Sequence, residues 1–501
     1  MLRRSYLLFI PIFLLFCQLQ DDTSSPTLKH VLFIVSDDLA AYALGSYGQT
    51  LFQTPNIDRL AAQSVLFEHA YANCPMCTPS RASFITGKYV HATGVSLLRS
   101  PLPDSVYTLA EHLKKSGFQT GIFGKNHFNS ELKHGFDTIV DRGQYREYLS
   151  QITYPEPDSG VGVRPAWKPF RDPARIWLNA DANASGLPYE HSQATFIARE
   201  AVNFLKANKD QPTFCMASFF EPHSPFNFSN EFYGTYDGVD PLIPATSSED
   251  DQWVPEIFKD MPDKDQKGIT RAYHTSVRYL DQNVGYILDQ LEEMGIADET
   301  LIVFFGDHGY LLGHHKRFEK HMMWEEAISV PLLFKNGSGA KRISDQVELV
   351  DVVPTILDMM GLPEIAGTQG ESLLPVISGQ PQQDPLVYAE YLADNKAMVN
   401  DGRYKYIFTS GKRDLGQGYA TGNSPTGILH RLYDLENDPT EGRNIAHEPA
   451  AQKALERLQA ALLRWFRDTH PLADSIPKDL PLDEQLSLFC EPMEKGNPML
   501  E

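Results

Sequence analysis

The stretch Val31-Leu32-Phe33-Ile34-Val35-Ser36-Asp37-Asp38 decides the fold. An unbroken apolar run, mostly β-branched or aromatic and ended by two acids, is short for a helix and too uniform for a strand with one wet face. It reads as a strand buried on both sides, the habit of parallel sheets. Thr120 to Phe123, Thr213 to Phe219 and Thr300 to Phe305 repeat the pattern. Helical patterns lie between these runs, at Ile57 to Gln63, Thr108 to Ser116, Gln193 to Leu205 and Thr275 to Glu293. The last carries Val277, Leu280, Val284, Ile287, Leu288 and Leu291 at helical spacing. Strands alternating with helices predict an α/β domain, a mostly parallel sheet wrapped on both faces.

Away from this core the texture changes. Residues from Pro155 to Asp263 are rich in Pro, Asp, Ser and Asn, and read as an insertion that shapes a substrate mouth. After Gly379 to Pro385, the segments Leu386 to Tyr391, Lys396 to Val399, Tyr404 to Phe408 and Tyr433 to Leu435 read as a strand meander, and Ala450 to His470 as an amphipathic helix. The expected organisation is a catalytic domain over 28–380, a C-terminal antiparallel sheet plus helix over 386–480, and a loose tail over 490–501. Residues 1–20 fit a signal peptide: Arg3 and Arg4, then an apolar run from Tyr6 to Cys17, too short to span a bilayer. Cys17 is a candidate lipid-attachment cysteine, although Phe16 before it is bulkier than such sites prefer. The expected location is therefore outside the cytoplasm: periplasmic, secreted or lipid-anchored, with membrane contact only through such an anchor.

The chain has 501 residues, with 65 Asp and Glu against 44 Lys and Arg, a net charge of -21. That balance opposes nucleic-acid binding, which needs a basic face. It leaves room for a small basic pocket that binds an anion. Five cysteines are too few for a disulfide scaffold at this length.

Ligands of open α/β sheets sit at the carboxyl ends of the strands, and these strand ends are polar. The first runs into Asp37-Asp38, the second into Gly124-Lys125-Asn126-His127, the third into Glu221-Pro222-His223 and the fourth into Gly306-Asp307-His308-Gly309. Acids converging from two strands repel unless a cation lies between them. The set Asp37, Asp38 and Asp307 therefore reads as a divalent-cation site, and its oxygen ligands favour Ca²⁺, with Mg²⁺ second. Taken singly, each Asp fits a helix cap better than a metal ligand, and it is the set that reverses this. Cys77-Thr78-Pro79-Ser80-Arg81 places Pro79 in a first helical turn and Gly87 at its end. Cys77 would then sit where free N–H groups favour an anion. A reactive thiolate, a buried structural thiol and a redox pair with Cys74 all remain open on these grounds.

The segment Cys77-Thr78-Pro79-Ser80-Arg81 resembles the C-x-P-S-R signature of the type I sulfatases, the formylglycine-dependent family of alkaline-phosphatase-like fold. Asp37-Asp38, Lys125-x-His127, Pro222-His223-x-Pro225, Gly306-Asp307-His308-Gly309 and Phe318-Glu319-Lys320 follow in the family's order. The resemblance implies a large mixed, mostly parallel sheet with a smaller C-terminal α+β subdomain. It implies that Cys77 is oxidised to formylglycine by a formylglycine-generating or anaerobic sulfatase-maturing enzyme. Asp37, Asp38, Asp307, His308 and modified Cys77 would bind Ca²⁺. Arg81 would steady the aldehyde hydrate, Lys125 and Lys320 would hold sulfate oxygens, and His127 and His223 would move protons. His308 stands where many members have Asn, and His314 where many have Glu. His314, His315 and Arg317 form a basic run that reads either as a solvated loop or as a subsite for a second anionic group.

The expected activity is hydrolysis of sulfate esters, N-sulfates included, on sulfated mono- or oligosaccharides. The overall pattern is similar to secreted carbohydrate sulfatases, the relatives of iduronate sulfatase and sulfamidase. Net charge -21 repels a polyanion at long range and favours attack on the ends of short chains. Competing readings are a phosphate or phosphonate monoester hydrolase of the same fold, and an inactive sulfated-glycan-binding protein.

Overall fold

The computed structural model describes residues 28–153, 185–255, 258–337, 339–382, 384–411 and 427–494. The expected signal segment with Cys17 lies outside them, as do residues 154–184 of the insertion and residues 495–501 of the tail. Among the described residues no helix is long and apolar enough to cross a membrane.

Eight strands build the main sheet: β1 (His30–Asp37), β2 (Val65–Tyr71), β3 (Gln119–Gly124), β4 (Thr138–Val140), β5 (Thr213–Pro222), β6 (Thr300–Gly306), β7 (Ser329–Lys335) and β8 (Lys341–Glu348). Their order is β4-β3-β5-β1-β6-β7-β2-β8. Only β7 runs against the rest, pairing antiparallel with β6 and β2. The fold is thus the expected mixed, mostly parallel α/β sheet. The strands expected from their apolar runs, β3, β5, β1 and β6, are neighbours at its centre. Their polar ends therefore converge along one edge.

Period-two alternation splits the core into two layers. Leu32 and Ile34 of β1 face the helices Gln193–Ala207 and Asp263–Met294, with Ala198, Val277 and Leu280 among the buried partners. Val31, Phe33 and Val35 face the helices Cys77–Thr86, Leu109–Lys115 and Val352–Met359. Thr108 caps the second of these in a reciprocal box with Glu111, as its sequence position suggests.

A second sheet is an antiparallel meander in chain order: β9 (Val387–Tyr391), β10 (Lys396–Asn400), β11 (Tyr404–Thr409) and β12 (Leu429–Asp434). One face packs on the helix Gln452–Thr469, with Tyr388 stacked on Trp465 at 4.8 Å. The opposite face meets the main domain. There buried Lys405 is shared by Glu325 at 2.9 Å and Glu441 at 2.7 Å, and burial pushes the Glu441 carboxyl up to about 7. Lys405→Met leaves those carboxylates without their cation, so it is expected to destabilise the protein by ~3–5 kcal/mol in denaturant unfolding. An effect below ~1 kcal/mol would mean that this pair does not hold the interface.

The tail differs from expectation at its start. The helix Leu482–Phe489 packs Phe489 on Phe466 at 5.1 Å, and Cys490 is buried. Glu494 accepts a 2.6 Å hydrogen bond from the Ser96 amide. The apolar spacing of Leu482, Leu486 and Phe489 covers an end of the core that would otherwise face water.

Candidate active site

Each functional side chain is placed by a strand end or by a helix start. The β1–β5 register shifts between Val35 and Asp37, which turns the end of β1. Asp38 then adopts φ 66, a conformation that a non-glycine residue takes only when its surroundings enforce it. Its amide donates to Asp307 Oδ1 at 3.2 Å, which joins the ends of β1 and β6. At the end of β3, Gly124 has φ 102, and a Cβ there would meet the Ser218 carbonyl oxygen at 2.0 Å. Only glycine lets β3 close on β5, and the turn sends Lys125 inward, 4% exposed.

The helix Cys77–Thr86 begins at Cys77 and ends with Gly87 in the left-handed conformation, as its Pro79 and Gly87 predict. Arg81, one turn in, is fully buried. It donates to Asp307 Oδ2 at 2.8 Å, Ser218 Oγ at 2.8 Å and the Lys125 carbonyl at 2.9 Å. Ser80 Oγ donates to the Asp307 carbonyl at 2.5 Å. The helix is thereby bolted to three strand ends.

Asp37, Asp38 and Asp307 meet Arg81, Lys125 and Lys320 in one enclosed cluster. Lys125 pairs with Asp37, and Lys320 pairs with Asp38. Burial alone would raise Asp37, but Lys125, His223, Lys320 and Arg81 hold it well below the usual carboxylate range. Burial and the charge of Asp37 push Asp307 up. Burial opposes ionisation of Cys77, yet the charges of Lys125 and His127 and contact with the His127 and His308 rings hold its thiol well below the ordinary value. Cys74, by contrast, is held well above it, first by burial and then by Glu390. An un-ionised Cys74 does not suit a thiol exchange pair, and both cysteines are free.

Hydrogen bonds fix the imidazole tautomers. Thr78 Oγ1 donates to the Leu98 carbonyl at 2.8 Å, so toward His127 Nδ1, 3.2 Å away, it accepts. His127 Nε2 is left with the lone pair. His223 Nδ1 donates to the Ser224 carbonyl at 2.6 Å, which leaves Nε2 as its working nitrogen. His308 Nδ1 donates to the Gly309 carbonyl at 3.0 Å, so its Nε2 is the nitrogen turned toward Asp38 Oδ1 at 3.5 Å and Asp307 Oδ1 at 3.7 Å.

A divalent cation fits this arrangement. Asp37 Oδ1, Asp38 Oδ2 and His308 Nε2 are buried and have no hydrogen-bond donor. Ligand atoms of Asp37, Asp38, Asp307 and His308 all lie within 4.8 Å of one another, and so do those of Asp37, Cys77 and His308. Polar atoms left without a hydrogen bond and converging on one point suit a bound cation. A second ring nitrogen tied to a backbone carbonyl is how proteins orient metal-binding histidines.

The basic run after β6 is arranged differently from a displayed subsite. His315 is buried, bonded through Nδ1 to Asp250 at 2.8 Å and stacked on Trp324 at 3.8 Å. Arg317 is buried, paired with Glu319 and bonded to the Trp253 carbonyl. His314 is partly buried, 5.0 Å from the Tyr42 ring. Acids and carbonyls from the loop near Asp250 take up these charges, so His315 and Arg317 are not held out toward a ligand. His321 was missed. It stacks on Tyr391 at 5.6 Å, and its titration feels Cys77, His308 and Lys320. Its position directly after Lys320 is the signal the sequence offers.

The mostly parallel sheet thus carries, at its central strand ends, a buried acid–histidine cluster beside a thiol held toward its ionised form. The phosphonate monoester hydrolase of Agrobacterium radiobacter superposes with a TM-score of 0.74 at 22% identity, over 89% of this chain and 97% of its own. A protein solved with its substrate D-glucosamine-2-N,6-O-disulfate superposes with a TM-score of 0.69 at 24% identity, over 92% and 99%. The family described as Sulfatase matches residues 29–362, and the one described as N-sulphoglucosamine sulphohydrolase, C-terminal, matches residues 313–468. This chain belongs to the sulfatase family, whose members are sulfuric ester hydrolases. Choline-sulfatase of Rhizobium meliloti is 27% identical over 88% of this chain and 85% of its own length. N-sulphoglucosamine sulphohydrolase of Homo sapiens is 26% identical over 93% and 95%.

Proposed function

We propose that this sulfatase is exported and removes sulfate, ester or N-linked, from terminal sugars of short sulfated saccharides. Cys77 is converted to formylglycine by a maturing enzyme, and Asp37, Asp38, Asp307, His308 and residue 77 bind Ca²⁺. The observation that carries this reading is the enclosed cluster of Cys77 with three acids, His308, Arg81 and two lysines. The carbohydrate reading draws on relatives named for hexuronate, N-acetylglucosamine and N-sulphoglucosamine substrates. The acidic surface, net charge -21, supports short chains over polymers.

The bound cation would supply positive charge that polarises oxygen and offsets the sulfate's negative charge. The hydrated aldehyde would supply two hydroxyls on one carbon, one to attack sulfur and one whose deprotonation expels the product. The chain's own groups do the rest. Lys125 and Lys320 hold the sulfate oxygens; without substrate the same ammonium groups rest on Asp37 and Asp38. Arg81, fixed by three hydrogen bonds, keeps Nη2 for an oxygen on residue 77. As the imidazolium, with its Nδ1–H on the Ser224 carbonyl, His223 delivers the Nε2 proton to the leaving oxygen or nitrogen. His127, its Nδ1–H held by Thr78, accepts a proton at Nε2 from residue 77.

Burial and the nearby Lys125 charge keep His127 below its ordinary 6.5, so it is neutral and basic at physiological pH. The rate of sulfo-enzyme breakdown, read from kcat where that step limits turnover of an aryl sulfate, is expected to stay level as pH is lowered to 6.5 and to fall only below it; an acid limb centred above 6.5 would contradict this base. The functional reading is tested with matched aryl sulfate and aryl phosphate and a panel of sulfated di- and oligosaccharides. Preference for the phosphate would favour the phosphonate-hydrolase relatives, and faster release of internal than terminal sulfate would refute the short-chain reading.

A further inference from the structure

The inner face of the C-terminal sheet carries charge where a domain interface would normally be apolar. Tyr391 of β9, Lys396 of β10, Thr409 of β11 and Arg431 of β12 share this face, because β10 pairs Lys396 with Tyr391 and with Thr409, and β11 pairs Ile407 with Arg431. Tyr391 begins at the catalytic pocket, stacked on His321 and close enough to Cys77 to feel its charge. Lys396 follows, paired with Asp394 and within electrostatic reach of Arg317 and Arg431. Arg317 is answered by Glu319.

Among the described residues no acid pairs with Arg431 and no acceptor takes its N–H groups. It is 3% exposed, its guanidinium lies 4.4 Å over the Trp253 ring, and none of Nε, Nη1 and Nη2 has a hydrogen-bond partner. Thr409 Oγ1, on the neighbouring strand, is likewise buried without a partner. An indole face offsets only part of the desolvation of a guanidinium. A buried cation with all its donors unused destabilises the ligand-free protein, and an arriving oxyanion removes that penalty.

We propose that Arg431, with Thr409 beside it, receives a second anionic group of the saccharide, a carboxylate or a sulfate on the sugar next to the one that loses sulfate. This rests on the sulfatase reading above and deepens it. β9 and β12 are three strand spacings apart, ~14 Å, so Arg431 lies well beyond Tyr391 at the catalytic pocket and would meet a group other than the scissile sulfate. Planar, forked donors match either oxyanion, so Arg431 selects for charge at that place.

The test uses the full chain, wild type and Arg431→Gln. Substrates are a monosulfated disaccharide with a uronic acid neighbour, the same compound with its carboxyl reduced to the alcohol, and its disulfated counterpart. Arg431→Gln is expected to lower kcat/KM on the doubly anionic disaccharides roughly 30-fold more than on the reduced one, through KM. The carboxylate and disulfated arms show which oxyanion is read. Equal losses on all three substrates, or none, would overturn the proposal. Thermal unfolding without turnover separates its failure from that of the sulfatase reading. Ligand-free Arg431→Gln is expected to melt above wild type, and the doubly anionic disaccharides are expected to raise the melting point of wild type more than that of the variant. A variant that melts lower, with unchanged ligand shifts, would show Arg431 to be merely structural even if no substrate is turned over.

Discussion

Cys77→Ser is expected to give no more than one turnover per chain. A serine at the start of the helix Cys77–Thr86 keeps the position, the enclosing lysines and a single hydroxyl. It can attack sulfur, but it lacks the second hydroxyl on the same carbon that would expel the product, so steady-state kcat should fall by ~10⁴-fold or more. Intact-mass measurement after incubation with an aryl sulfate should find the variant heavier by one SO₃. Sustained turnover by Cys77→Ser would mean that residue 77 is not the nucleophile. A redox enzyme using Cys77 and Cys74 would instead lose activity without gaining mass.

Asp307→Ala should be nearly as damaging, for two separable reasons. Asp307 is fully buried, offers a ligand atom to the proposed cation and accepts the hydrogen bond from Arg81 at 2.8 Å. Removing it strands a buried guanidinium, a loss of ~3–5 kcal/mol in stability. It also removes a charged ligand, so metal content measured by elemental analysis should fall together with kcat by ~10³-fold or more. Asp307→Asn keeps an acceptor for Arg81 and should recover most of the stability without recovering the activity. If it restores both, the carboxylate charge is not needed and the cation reading weakens.

Much of this was legible before any coordinates, and the physical reason is local. β1, β3, β5 and β6 are buried on both faces, so their sequences are nearly pure apolar runs that stop at polar residues, and those stops are the site. The strands that escaped notice lack that signal. β8 is the polar segment Lys341–Glu348 at the sheet edge, and β7 contains Pro331. The long helix begins at Asp263, a dozen residues before its apolar stripe, because its first turns are polar and partly exposed. Within the site, residues in recognisable strings (Asp37-Asp38, Asp307-His308, Lys125-x-His127) could be found, whereas Ser218 and Tyr391 act alone and are brought in by tertiary structure. His315 and Arg317 show the converse. A run of positive charge is visible in sequence, but Asp250 and the Trp253 carbonyl, which absorb it, come from more than sixty positions earlier.

The most direct measurement is the mass of the peptide containing residue 77, taken alongside specific activity across preparations with different extents of maturation. The peptide is expected to have exchanged sulfur and two hydrogens for one oxygen, with aryl sulfatase activity proportional to the fraction so converted and vanishing with it. Full activity in protein whose residue 77 is an unmodified thiol would contradict it.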